Sequence, residues 1–149
     1  MTQQVTASAT FPSVEWFKAI AEIVNPDEGF RRLGTCDAGV GVKVPDLKKY
    51  YKLTFEAFEV ADVREVSEAD AEDSDFWLEL PYGKWKEMLQ NIKQNGAADL
   101  HHTLNTIDLE EPDGFARSLD GYRRDAFYRF NQTFQYFFDA SVKLETHFV

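Results

Sequence analysis

The sequence predicts an α+β fold: a single, mostly antiparallel or mixed sheet of about five strands, with helices packed on one face. Three observations predict it. Apolar residues recur at steps of three and four in some segments and at alternate positions in others, the periods of helix and strand. The inferred order (helix, three strands, helix, strand, helix) lacks the strict strand–helix alternation of a doubly wound sheet. The closing segment Phe127–Asp139 carries seven Phe or Tyr among its thirteen residues and no Leu, Ile or Val. Its apolar face is therefore built of rings.

Residues 1–10 are small and polar, and a disordered tail is expected there, with one domain over 11–149. Ser13 is a good N-cap, with Glu15 in the first turn, for a helix whose face is Trp16, Phe17, Ile20, Ile23 and Val24. Asn25, Pro26 and Glu28 read as cap, first residue and capping-box acid of a second short helix that stops at Gly34. Val40, Val42 and Val44 alternate as a strand, and its small residues Ala38, Gly39 and Gly41 leave room for close packing or for a ligand. A turn at Pro45–Lys49 leads into one long strand, Tyr50–Val66. Its apolar phase changes by one residue, which predicts a bulge near Ala57 or Phe58.

The acidic stretch Ser67–Asp75 reads as a solvated hairpin loop. Phe76, Leu78 and Leu80 form the next strand, ended by Pro81. Trp85, Met88, Leu89 and Ile92 then follow helical spacing, and Gly96 stops the helix. A short helix is expected at Ala97–Leu104, a fourth strand at Asn105–Glu110 from the alternation of Ile107 and Leu109, and a helix–turn region over Pro112–Gly121. One long helix over Tyr122–Val142 closes the chain.

The totals exclude several function classes. A chain of 149 residues accommodates one domain. A net charge of −10 opposes nucleic-acid binding and broad adhesion to anionic membranes. Cys36 stands alone, so no internal disulfide forms. The sequence begins without a basic start and an apolar run and has no 18-residue apolar window, so a cytoplasmic protein without integral membrane association is expected.

No catalytic signature stands out, and neither a metal nor a cofactor is expected. Adjacent His101 and His102 point apart on a helix or a strand, and the paired histidines of a zincin helix are missing. Phosphate-binding glycine loops and the nucleophile elbow are missing too. Cys36 reads as a small buried residue. The arginines between Arg117 and Arg129 read as partners of Asp120, Asp125 and other acids. What remains is the apolar surplus. A helix stripe of Phe127, Phe130, Phe134, Phe137 and Phe138 faces a sheet bearing Phe55, Phe58 and Phe76, and bulky stiff rings from two layers are hard to close-pack. Apolar gaps of that kind accept hydrophobic ligands.

Over residues 11–142 this order resembles the sterol-carrier-protein-like family, most visibly in the strand at Phe76–Leu80, the Trp-bearing helix at Tyr82–Lys93, the region Ala97–Leu109 and the Phe-rich tail. The resemblance implies a five-stranded sheet with helices on one face and an apolar tunnel between them. It implies binding of a fatty acid, acyl-CoA, sterol or similar lipid without catalysis. Trp85, Met88, Leu89 and Ile92 would line the tunnel from one helix and Phe130, Phe134, Phe137 and Phe138 from another, with Phe55, Phe58, Phe76 and Leu78 on the sheet side. The acidic segment Asn105–Gly114 and the long aromatic last helix depart from the family pattern. The expected partner is a hydrophobic small molecule, and the expected state a monomer or dimer. Two other functions fit the residues. One is an enzyme, or an accessory domain of one, acting on an apolar or aromatic substrate with Asp99, His101 or His102 as acid/base. The other is an interaction module using the Phe-rich helix.

Overall fold

A computed structural model describes residues 7–149. Five strands form the main sheet: β2 (Ala38–Val44), β3 (Lys49–Glu56), β4 (Glu59–Glu65), β5 (Phe76–Glu79) and β6 (Ala116–Arg117), in the spatial order β4-β3-β2-β5-β6. All neighbours run antiparallel except β2 and β5, which are parallel. The predicted mixed sheet is therefore present.

The pleat sorts its two faces. Val40, Val42, Leu53, Phe55, Phe76 and Leu78 point to one side and are buried. Helices α1 (Val14–Val24), α4 (Tyr82–Asn95), α6 (Gly121–Arg129) and α7 (Asn131–Asp139) cover that side. Ser13 caps α1 as expected, accepting from the Trp16 N–H at 3.0 Å. Trp85 of α4 reaches the sheet and donates its indole N–H to the Lys43 carbonyl at 3.1 Å. Gly96 ends α4 at φ +83°.

Several local expectations are corrected. The stretch 50–66 is a hairpin, not one strand: Ala57 turns the chain at φ +55°, and the pairing irregularity lies at Thr54/Phe55, opposite the extra residue Ala61. The two together produce the phase change. Asp27, not Asn25, caps α2 (Glu28–Arg31). Asn25 instead exchanges two hydrogen bonds with the backbone of Val60, at 2.8 and 3.0 Å.

The acidic connector is not a solvated loop. It forms helix α3 (Glu68–Glu72), capped by Ser67, on the sheet face opposite the other helices. Lys43, only 4% exposed, projects from that face to Glu68 and Glu72 at 3.5 and 3.2 Å. A Cβ on Gly41 would lie 2.5 Å from the Ala71 carbonyl oxygen. Gly41 thus serves close packing of α3, whereas a Cβ on Gly39 would meet only ordinary contacts and Ala38 is buried on the core face with Val40.

Ala97–Thr103 form turns, and helix α5 (Leu104–Glu110) occupies the place of the expected fourth strand. Thr103 caps it, accepting from the Thr106 N–H at 3.2 Å. The last strand of the main sheet, β6, falls inside the expected helix–turn region. The long closing helix is broken at Phe130 into α6 and α7, and a 3-10 turn over Ala140–Lys143 follows. The expected tail over 1–10 lies outside the described residues as far as residue 6. Beyond it, Ser8–Phe11 form β1, paired parallel with β7 (Glu145–Phe148). Trp16 fastens this ribbon to α1 by donating its indole N–H to Thr146 Oγ1 at 3.0 Å.

Candidate functional site

The rings expected to line a tunnel come together between sheet and helices. Phe134 of α7 meets Phe55 of β3 edge-on at 5.2 Å between ring centres and Phe76 of β5 at 5.3 Å. Phe137 approaches Phe55 at 5.8 Å, and Phe138 approaches Trp85 at 5.8 Å. These distances are those of favourable ring–ring contact. Rings from the two layers, expected to line an apolar passage, contact one another at these points. Leu78, Met88, Leu89 and Ile92 are buried in the same core.

Two expected lining residues stand elsewhere. Phe58 is 41% exposed in the β3–β4 turn, under the guanidinium of Arg31. Phe130 is half-buried at the α6–α7 break, with Arg129 over its ring. The lining set read from the sequence omits four contacting rings: Phe11 and Phe115, which no pattern singles out, and Phe17 and Phe127, which it places only on apolar helix faces. Phe11 and Phe115 pack on Trp85 at 5.9 and 5.3 Å, Phe17 packs on Tyr51 at 5.1 Å, and Phe127 packs on Phe76 at 5.7 Å as well as lying in the aromatic stripe. Phe11 and Phe115 sit in or beside short strands, where no periodic pattern marks them.

Polar bonds hold α7 down at its edges. Tyr136 donates its hydroxyl to Asp27 Oδ2 at 2.8 Å, and this bond is the first cause of a lowered Asp27 pKa. Gly29 is required beneath it, because a Cβ there would collide with the Tyr136 hydroxyl. Asp139 accepts from the Ala98 N–H and from Gln135 Nε2, at 3.1 and 3.0 Å, and burial pushes its carboxyl above the usual range. A groove of about 260 Å³ beside α7, lined by Ala97, Tyr136, Ala140 and Val142 with Asp139 and Lys143 at its edge, brings apolar surface to the outside.

The second expected cluster is also real. Asp99 Oδ1 and His102 Nδ1 lie 2.7 Å apart, while Asn91 donates its amide to Asp99 Oδ2 at 2.8 Å. The hydrogen bond from His102 is the first cause that draws the Asp99 carboxyl down to about 2. His101 and His102 line a cleft of about 250 Å³ between α4 and α5. Cys36 is excluded as a nucleophile: it is buried, and burial pushes its thiol up to about 12. The arginines pair with acids, Arg117 with Glu79 at 2.9 Å, Arg123 with Asp75 at 3.2 Å, Arg124 with Asp108 at 3.3 Å and Arg129 with the expected Asp125 at 3.5 Å, whereas Asp120 caps α6 by accepting from the Tyr122 N–H.

No family model matches the sequence, and no curated protein matches it. The shape is informative. The structure superposes on the crystal structure of sterol carrier protein 2 with a TM-score of 0.62 at 17% identity, over 86% of this chain and 94% of that one. The fold is that of sterol carrier protein 2. A solution structure from Thermus thermophilus, of a conserved hypothetical protein regarded as a candidate sterol carrier protein, gives a TM-score of 0.63 at 15% identity, over 96% and 97% of the two chains. Among the described residues no helix is long and apolar enough to cross a membrane.

Proposed function

We propose that this chain binds and carries a hydrophobic small molecule (a fatty acid, acyl-CoA, sterol or similar lipid) between its sheet and the α6–α7 cover. The observation that supports this reading is the near full-length likeness to sterol carrier protein 2. The interlayer supplies suitable chemistry, since Phe55, Phe76, Phe134 and Phe137 offer aromatic surface without a charged group among them. With these rings in contact, the ligand enters by parting them, and α7, separated from α6 at Phe130, is the element that moves. Burial of an acyl chain contributes about 0.8 kcal/mol per methylene, so a chain of about ten carbons outweighs the cost of displacing ring contacts worth about 1 kcal/mol each.

The test is direct. Protein purified without added lipid is denatured and extracted, and the extract is analysed by mass spectrometry. Ligand-stripped protein is then titrated with a fluorescent fatty acid, a sterol and an acyl-CoA. The expected result is a co-purifying amphiphile or saturable uptake of at least one probe, lost in Phe134→Asp, with circular dichroism recorded alongside to separate loss of binding from loss of fold. An empty extract together with no uptake of any probe overturns the reading.

A further inference from the structure

β4 ends the main sheet, and part of its outer edge is open. Val60 turns its N–H and C=O away from β3, because Asn25 bonds both of them, at 2.8 and 3.0 Å. At the other end of the strand the Val66 N–H donates to the Tyr50 carbonyl at 3.0 Å, so Val66 turns toward β3. Backbone direction alternates along an antiparallel strand, and the register from Tyr51 with Glu65 to Thr54 with Asp62 is unbroken. Arg64 and Asp62 therefore turn toward β3 as well, and the N–H and C=O groups of Val63 and Glu65 point outward. Among the described residues no further strand lies beyond β4, and no backbone group bonds Val63 or Glu65 from that side. An edge of this kind is a template for another strand. Asn25 closes it at Val60 and leaves it open toward Glu65.

The charges along this edge select the occupant. Asp62 and Arg64 flank Val63, share one face of the sheet and are both exposed, 3.1 Å apart. Place a second copy so that the β4 strands run antiparallel about a two-fold axis at Val63. Val63 then meets Val63, and the two exchange their outward N–H and C=O groups. Asp62 of each copy lies opposite Arg64 of the other. Neighbouring registers that keep outward groups face to face oppose like charges instead. The next one in either direction sets Asp62 against Asp62 or Arg64 against Arg64, and the one beyond Arg64 sets Glu65 against Glu65. The pattern thus accepts a second copy of this chain in one register and resists the others.

We infer that the β4 edge joins two copies of this chain into a two-fold dimer, whose sheet continues from one copy into the other through Val63. Lys49, 3.5 Å from Glu65, offsets the carboxylate nearest the junction. The shared ladder is short, because Asn25 ends it at Val60 and the chain turns back toward β3 at Val66. The net charge of −10 acts against the approach of a second copy. The dimer is therefore weak and depends on protein concentration.

The experiment is sedimentation equilibrium of the full chain from about 10 μM to about 1 mM, the range of weak association. The expected result is a mass that rises with concentration toward that of a dimer, while amide exchange at Val63 slows over the same range. Asp62→Arg and Arg64→Asp each set like charges opposite one another across the junction, and each weakens the dimer about tenfold. An equimolar mixture of the two variants restores association, because each chain then meets opposite charges at both positions. One chain carrying both substitutions also recovers it. Both side chains are exposed, and circular dichroism reports whether each variant is folded. A monomer at every concentration, single variants that associate as tightly as the parent, or no recovery in the mixture and the doubly substituted chain overturns the inference. None of these outcomes depends on lipid uptake between the layers.

Discussion

Tyr128 donates its hydroxyl to Asp108 at 2.8 Å, joining α6 to α5 through a carboxylate that is only 7% exposed. The same carboxylate accepts the N–H groups of Phe115 and Ala116, at 2.8 and 2.9 Å, and faces Arg124 at 3.3 Å. One side chain thus fixes the loop entering β6 and the helix that follows it. Asp108→Ala strands two backbone donors and a guanidinium, and is expected to cost about 3 kcal/mol. Tyr128→Phe removes one bond and is expected to cost about 1 kcal/mol. Urea unfolding of the two variants checks the order and the ratio.

Phe134 lies between Phe55 and Phe76, so Phe134→Ala leaves a ring-lined void. A loss of about 3–5 kcal/mol is expected. A void so lined stays dry and accepts small apolar molecules. Saturating benzene should therefore raise the melting temperature of the variant and leave that of the parent chain unchanged. Calorimetric scans with and without benzene measure this.

Gly41 faces the Ala71 carbonyl, and Trp77 Cβ lies 2.8 Å from the position a Cβ would take. Gly41→Ala forces α3 away from the sheet and is expected to cost about 1–3 kcal/mol. Hydrogen exchange should quicken at residues 68–73 and stay slow in α4.

Asp99 has a folded-state pKa of about 2 against an ordinary value of 3.8. Its contribution is present above the ordinary value and is lost as pH falls from about 4 to about 2. Asp99→Asn should flatten the decline of stability between pH 4 and pH 2. Chemical denaturation across that interval is the measurement.

Cys36 is 2% exposed with a thiol pushed up to about 12. Ellman's reagent should leave the folded protein unmodified at neutral pH and react fully once the chain is unfolded in urea.

The parts of this fold legible in the sequence are those whose pattern is local. Ser13 with its helix face, the alternating valines of β2, and Trp85 to Ile92 ending at Gly96 are periodic and capped. The parts that were not legible are settled by contacts distant in sequence. α3 is too short and acidic to stand alone, and Lys43 from β2 holds it. Ala57 turns the β3–β4 hairpin without the glycine that marks such turns. In α5 the alternation of Ile107 and Leu109 imitates a strand, yet Leu109 is 85% exposed while Asp108 is buried. The Thr103 cap was the signal that could have revealed that helix. For the candidate site, helical spacing placed Phe134, Phe137 and Phe138 on the inner face. Whether rings line a gap or fill it depends on the separation of the layers, which no periodicity encodes. Asp99 and His102 were legible as neighbours, but Glu87 of α4, 3.5 Å from His102, was not.

β1 and β7 lie side by side, parallel and in register from Ser8 with Glu145 to Phe11 with Phe148. Tension applied at residues 8 and 148 therefore drags the two strands lengthwise past each other in opposite directions. Their rungs, among them Glu145 N–H to the Ala7 carbonyl at 2.9 Å, bear the load together instead of opening one by one. The ribbon is a shear clamp, and a chain held by it resists stretching until the whole clamp gives way at once.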